Sequence, residues 1–524
     1  MRAILPATFL VAASLLGAEG VVAPAPVNQV VASADRTVTL AAAIDQALAR
    51  NLGLVITRLE TARALDSVEQ AEADFDPVFG WGNRLSGAQS SFDRQNGNPA
   101  ARDFSSDISL SRKFSWGGTL TLGTGMTRLW SDGGSLNSTA SNFDLGTSLS
   151  YTQPLLAGAG RAVNLSALIA AKEGATRSRL ALRAAALDLI RDTEVAYWSL
   201  AGARTLVALR ETSLRSAESL LEQVQTKRRL GDATALEELQ AAADVANQKV
   251  AVLNAKQAVD GAEMRLRRTL GRGDAAEIEQ AVLVEAIPSS AVAAPEPFAL
   301  WIRQAADFDF ETAIQLSALA QANSSLDAAR QNDAAQLDLT LSGANIGPSV
   351  AGLNQAHNGL RDASGWSNSI SFTYRLPLGS RESEAALRSA ARARQQAEFR
   401  LADVRQNLVF NARATWRDLE AARARVDSAT SALALQRQSY EGERARYAAG
   451  QSDILRVLQA QAALDAAQLN WIQSSLDARS ASARVARLDG SLLARHGFTL
   501  EAAEAKVGAG LPMDEPLPPL SATP

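Results

Sequence analysis

Cysteine is absent from the 524 residues. That excludes a disulfide framework, a thiolate metal site, a cysteine nucleophile and a cysteine-linked lipid anchor. Histidine is nearly absent: His357 and His496 are the only two. Most metal sites and general-base designs go with it. Aromatic residues make up 5% while hydrophobic residues make up 47%, so the apolar content is small and aliphatic, with alanine prominent. Such a composition suits long helices packed at close distance better than a thick globular core. Neither sign of charge dominates, with 52 Lys+Arg against 56 Asp+Glu and a net charge of -4. This argues against nucleic acid as a partner and against a supercharged disordered chain. No stretch approaches the roughly 20 apolar residues of a spanning helix. No cofactor motif, nucleophile–base pair or carboxylate dyad stands out, so the composition leans away from an enzyme.

The first residues are organised. Arg2 precedes an apolar run from Ala3 to Leu16, and small residues follow to Ala18. This is the layout of a secretory signal over residues 1–18, with an extended segment over 19–37. A chain so exported is either soluble or held in a membrane by β-strands.

Proline placement divides the rest. Residues 155–287 and 378–511 hold no proline and are rich in Ala, Leu, Arg, Gln and Glu, all good helix formers. Each window is interrupted once near its middle, at Leu230-Gly231-Asp232 and at Ala449-Gly450-Gln451. Each therefore reads as a long helix, a tight reversal and a shorter helix. The windows are also copies of one another. Tyr151-Thr-Gln-Pro-Leu155 matches Tyr374-Arg-Leu-Pro-Leu378, Trp198 matches Trp416, and Arg265 to Gly271 matches Arg484 to Gly490, all at an offset of about 220 residues. The pattern predicts long helices over 161–229 and 380–448, each about 100 Å at 1.5 Å per residue. Shorter helices are expected over 38–74, 235–271, 298–334 and 453–489, two of them end to end matching one long rod.

Between the helices the periodicity changes to two. Trp366, Asn368, Ile370, Phe372 and Tyr374 alternate with Ser367, Ser369, Ser371, Thr373 and Arg375. Asn142 to Thr152 and Gln336 to Gly343 alternate in the same way, which is the signature of a membrane β-strand or of a half-buried strand in a soluble sheet. The first copy holds further strand-like segments at Pro77 to Leu85, Ile108 to Phe114 and Thr119 to Met126, the last two joined by a hairpin at Trp116-Gly117-Gly118, within an extra stretch over about residues 86–141. Pro154 and Pro377 sit where strand passes into helix, a position that needs no N–H.

This ordered set resembles the TolC-type outer-membrane efflux protein family over nearly the whole mature length. The resemblance implies a mainly α fold with membrane β: a trimeric α/β-barrel built from two repeats of short helix, strands, long helix, turn and short helix. The first repeat spans 38–287, with strands about 76–153 and a helical hairpin over 158–271. The second spans 288–490, with strands about 336–378 and a hairpin over 380–489. Residues 491–524 read as an extended periplasmic tail. The resemblance implies four strands per protomer in a shared twelve-stranded barrel. The extra hairpin near Gly117-Gly118 is then expected as an extension at the outer rim or a lining element.

The implied role is a passive duct for a tripartite efflux or type I secretion system. Its partners would be a periplasmic adaptor, an inner-membrane pump of RND, ABC or MFS type, and outer-membrane lipid. No cofactor is implied. The alternative reading is an exported coiled-coil tether, which would need no strand with an apolar outer face. Leu230, Gly231, Asp232, Ala449, Gly450 and Gln451 would form the adaptor-docking tips. Counting from the turn glycines, as the family's tunnel constriction would require, reaches Glu237 and Glu238 on one hairpin and Arg456 and Gln459 on the other. An aspartate ring does not carry over, so a mixed Arg/Glu gate is expected, with solvated surface charge as the alternative.

Overall fold

The computed structural model describes residues 38–88, 101–131, 142–273, 282–288, 292–333, 335–347, 352–362 and 365–507. The proposed signal peptide and extended segment therefore lie outside the described residues, as does the end of the tail from 508. Two helices dominate: α4 (Ser166–Leu230) and α9 (Arg381–Ala448). At 65 and 68 residues each is about 100 Å long. Neither contains proline or an internal cap, and each ends only where a glycine enters the left-handed region, with φ of 87° at Gly231 and 74° at Gly450. Among the described residues no helix is long and apolar enough to cross a membrane.

The shorter rods are assembled from pieces. In the first repeat, α1 (Leu40–Arg50) is followed by α2 (Leu52–Ala73), and α5 (Ala235–Thr269) returns from the tip. In the second, α6 (Phe298–Asp307), α7 (Phe310–Asn332) and α10 (Ile454–Leu488) play the same parts. The expected helices over 38–74 and 298–334 are thus each broken once. Asn51 accepts from the Leu54 N–H at 3.1 Å and donates to the Thr269 carbonyl at 3.1 Å, so it caps α2 and holds it to the end of α5. Asp309 caps α7 in the same way through the Thr312 N–H. Side-chain oxygens placed there supply the orphan N–H groups of a new helix start. At the second joint Gly490 lies so close to the Phe308 ring that a Cβ would meet it at 2.8 Å. Two half-rods therefore stack end to end beside each long rod.

Packing follows from the joints. α4 packs on α2 and α7 towards the sheet and on α5 and α10 towards the tips, and α9 packs on α7 and α10. Near mid-length a girdle surrounds the rods. Tyr197 is fully buried; its hydroxyl donates to the Val38 carbonyl and accepts from the Glu285 N–H. Trp301 donates to Asp489 at 2.8 Å. The chain after Gly490 is not an extended tail as far as residue 507. It forms α11 (Ser491–Arg495) and α12 (Leu500–Lys506), and Leu492, Leu493, Ala503 and Val507 enter a core with Leu182, Leu187 and Ile190 of α4. Burying these apolar side chains stabilises what composition alone reads as irregular.

The sheet departs from expectation. Among the described residues it has six antiparallel strands in sequence order, not four: β1 (Val78–Ala88), β2 (Ala101–Lys113), β3 (Thr119–Ser131), β4 (Asn142–Pro154), β5 (Gln336–Ile346) and β6 (Trp366–Arg375). The first repeat contributes four and the second two. The Gly117-Gly118 turn is not an extension at the outer rim. It sits at the helix end of the sheet, between β2 and β3, where the Gly160 N–H donates to the Trp116 carbonyl at 3.0 Å. A short helix, α3 (Arg161–Asn164), follows at once. At the opposite end of the sheet α8 (Leu353–Arg361) joins β5 to β6. It lies on the face that carries the apolar side chains, where Asn345 donates to the Leu360 carbonyl.

Candidate functional site: hairpin tips and channel wall

At the first tip the Gly231 N–H donates to the Arg228 carbonyl and the Asp232 N–H to that of Lys227. This double bond pattern closes a helix only around a left-handed residue, and glycine takes that conformation without a Cβ clash. Thr234 then starts α5 with a reciprocal capping box: its hydroxyl accepts from the Glu237 N–H, and the Glu237 carboxylate accepts from the Thr234 N–H. At the second tip the Gln451 N–H donates to the Arg446 carbonyl and Gly450 to Tyr447. Asp453 caps α10 by accepting from the Arg456 N–H at 2.9 Å. Leu230, Leu236 and Leu239 stand exposed on the first tip.

Lys227 ties the two hairpins together. Its ammonium donates to the Tyr447 carbonyl at 3.0 Å and lies 4.1 Å from the centre of the Tyr447 ring. Lysine over an aromatic face is held by the ring quadrupole as well as by the hydrogen bond. The sequence reading did not find this contact, since 220 residues separate the partners.

The expected gate residues occupy the start of each returning helix. Within one protomer each charge has a neighbour on its own hairpin: Glu237 serves the capping box, Arg228 bonds Glu238, and Arg456 lies 3.6 Å from Asp453. The hydrogen bond from Arg228 holds the Glu238 carboxyl below its ordinary pKa, so it stays ionised. Gln459 and Arg456 are exposed.

A second polar site lies higher in the same bundle. Asp465, 6% exposed, accepts from Ser213 at 2.8 Å, Gln248 at 3.0 Å and Gln461 at 3.1 Å, and pairs with Arg210 at 3.1 Å. It pins α4, α5 and α10 to one another. Burial, with Asp465 adding repulsion, raises the pKa of the neighbouring Asp244. No local pattern advertised this network, because its members come from three distant stretches.

At the sheet end, Pro154 is the last residue of β4 and Pro377 follows β6. The first junction is reinforced: Trp116 donates to the Tyr151 hydroxyl at 3.0 Å, which donates to Gln153 at 2.7 Å. Across the sheet one face is apolar and the other polar. Phe79, Leu110, Leu122 and Leu149 stand in one cross-strand row. The neighbouring row on the other face reads Ser111, Thr121, Ser150, Ser342 and Ser369. Both edge strands, β1 and β6, are exposed along nearly their whole length.

Comparison with known proteins gives one consistent answer. The sequence profile described as "Outer membrane efflux protein" matches residues 115–272 and 305–491. No match is found among curated proteins. The fold is similar to the outer membrane protein VceC of Vibrio cholerae, at 16% identity, 86% of this chain, 96% of that one and a TM-score of 0.65. The CmeC outer membrane channel of Campylobacter jejuni aligns at 16% identity over 92% and 93%, with a TM-score of 0.67. The open-state MtrE outer membrane channel of Neisseria gonorrhoeae aligns at 18% identity over 86% and 88%, with a TM-score of 0.61. Members of this family are homotrimeric outer-membrane factors of tripartite efflux systems. A six-stranded sheet with one apolar face, twin helical hairpins of about 100 Å and a profile match over most of the length make this chain a member of the outer membrane efflux protein family, an outer-membrane channel.

Proposed function

We propose that three copies form a passive duct whose sheets close a barrel in the outer membrane and whose rods run through the periplasm to meet an adaptor and an inner-membrane pump. The observation that carries this reading is the pairing of an apolar-faced sheet having two open edges with hairpins that end in exposed tips. Open edges in lipid leave backbone groups without partners, and only closure removes them. Leu230, Gly231, Asp232 and Ala449, Gly450, Gln451 are the surfaces offered to the adaptor. Exposed Leu236 and Leu239 add apolar contact there. Arg456 and Gln459, with Glu237 and Glu238 of the neighbouring hairpin, narrow the periplasmic mouth. The pump supplies the energy, and the duct performs no chemistry.

The test uses the native envelope. With no cysteine in the chain, Leu236→Cys provides a single thiol at the tip. Crosslinking should capture one periplasmic adaptor, and a cysteine placed near mid-rod instead, Asp192→Cys, should not. Equal capture from both positions would count against docking at the tips.

A further inference from the structure

The first repeat carries one strand pair more than the second, and the chemistry of that pair says where it stands. Strands that decorate a barrel, plugging its bore or projecting above its rim, need not share the phase of the wall. Here they do. Opposite the apolar row through Phe79, Leu110, Leu122 and Leu149, the hydroxyls of Ser111 and Thr121 continue the row formed by Ser150, Ser342 and Ser369. The two faces therefore keep one phase from β1 to β6, although Gly343 and Asn368 end this apolar row and Val78 ends the polar one. β2 and β3 are 13 residues each, long enough for the 9–11 of a tilted membrane strand. The turn that joins them is bonded to the strand-to-helix junction through Trp116. A Cβ on Gly117 would meet the Gly158 carbonyl at 2.8 Å, so this turn is fitted to its place.

We propose that β2–β3 is a wall element that sets the bore of the outer-membrane pore, so that three copies of the six-stranded sheet close an eighteen-stranded barrel admitting larger hydrated solutes than a twelve-stranded one. This rests on the trimeric duct proposed above. Six strands alternate in direction, so β6 of one copy meets β1 of the next antiparallel, as every other pair does. Barrel diameter grows roughly linearly with strand number, and barrels of 16–18 strands leave an aqueous channel. The inward face carries short Ser and Thr side chains together with the carboxylates of Asp103, Asp107, Asp144 and Asp338. The solutes favoured are thus hydrophilic.

Two measurements on the full-length protein in liposomes and planar bilayers test this. In the first, Ser111→Cys and Thr121→Cys should react with a water-soluble, membrane-impermeant maleimide, and a bulky adduct should lower conductance. Leu110→Cys and Leu122→Cys should resist that reagent and react with a lipid-soluble fluorescent maleimide that nitroxide lipids quench. In the second, deletion of residues 101–131 leaves β1 able to pair with β4. The largest neutral polyethylene glycol that enters the pore should then fall in radius by about a third or more. Aqueous labelling of both faces alike would overturn the wall assignment, as would an unchanged polymer limit in a deletion variant that still assembles. If that variant does not assemble, the labelling decides. A native mass other than three copies would instead overturn the trimer and with it the count of eighteen.

Discussion

Asp465 shows what one side chain can hold. It is buried, pairs with Arg210, and accepts from three further residues on α4, α5 and α10. Removing one partner of a buried pair leaves the other charge without compensation, at a cost of about 3–5 kcal/mol. Asp465→Ala should therefore lower stability by about 3 kcal/mol in denaturant titration of the detergent-solubilised protein, and Arg210→Met with Asp465→Leu should restore most of it. Asp244 behaves in the opposite sense. Its pKa is raised by burial, then by the charge of Asp465. A carboxyl that binds its proton more tightly when folded favours the folded state at low pH, and that contribution is lost as pH rises through the folded pKa. Asp244→Asn should accordingly raise the thermal midpoint at pH 7. The gain should shrink towards zero near the unfolded carboxylate range of about pH 4. A gain independent of pH would show that the carboxylate's charge is not the cause.

Elements were legible where one physical signal dominates a long stretch. The long helices were readable from two proline-free windows, and their ends from Gly231 and Gly450, because no local feature competes there. The breaks at Asn51 and Asp309 were not readable. A single Asn or Asp is compatible with a helix interior until tertiary structure offers its side chain a cap to make and a neighbour to hold. Strand alternation was plain in β4, β5 and β6. The strand-like segments of β1, β2 and β3 could also be read, but their membership in one sheet could not, since family resemblance pointed to four strands. The tips of the candidate site were legible from their glycines; the Lys227–Tyr447 tie and the Asp465 network needed helices brought together from remote sequence. The glycines also separate two uses. Gly442 lies inside α9 with open space around it, whereas Gly450 holds φ of 74°. Gly442→Ala should stabilise by about 0.5–1 kcal/mol, and Gly450→Ala should destabilise by about 1 kcal/mol. Paired thermal melts check both signs.

At the scale of the whole molecule, the assembled protein should sediment as an elongated trimer in mild detergent. A compact monomer by analytical ultracentrifugation would refute the duct. The mouth gives a second prediction. Three copies of Arg456 near one axis repel, so acidic neighbours from the other hairpin would offset them. Arg456→Glu should then raise single-channel conductance, with partial reversal by Glu238→Arg. Unchanged conductance and ion preference would reduce Arg456 to a solvated partner of Asp453.

The end-to-end stacking of half-rods has a consequence for girth. Each copy presents four rods: α4, α9, α2 with α5, and α7 with α10. In the proposed trimer, twelve rods at about 9 Å between axes would make a tube about 110 Å around. Eighteen strands about 4.8 Å apart and tilted about 40° make a ring of about 110 Å as well, whereas twelve would make only about 75 Å. A wall of eighteen would therefore join the rods without a shoulder, and a solute that passed the periplasmic mouth would meet no second throttle before the cell exterior.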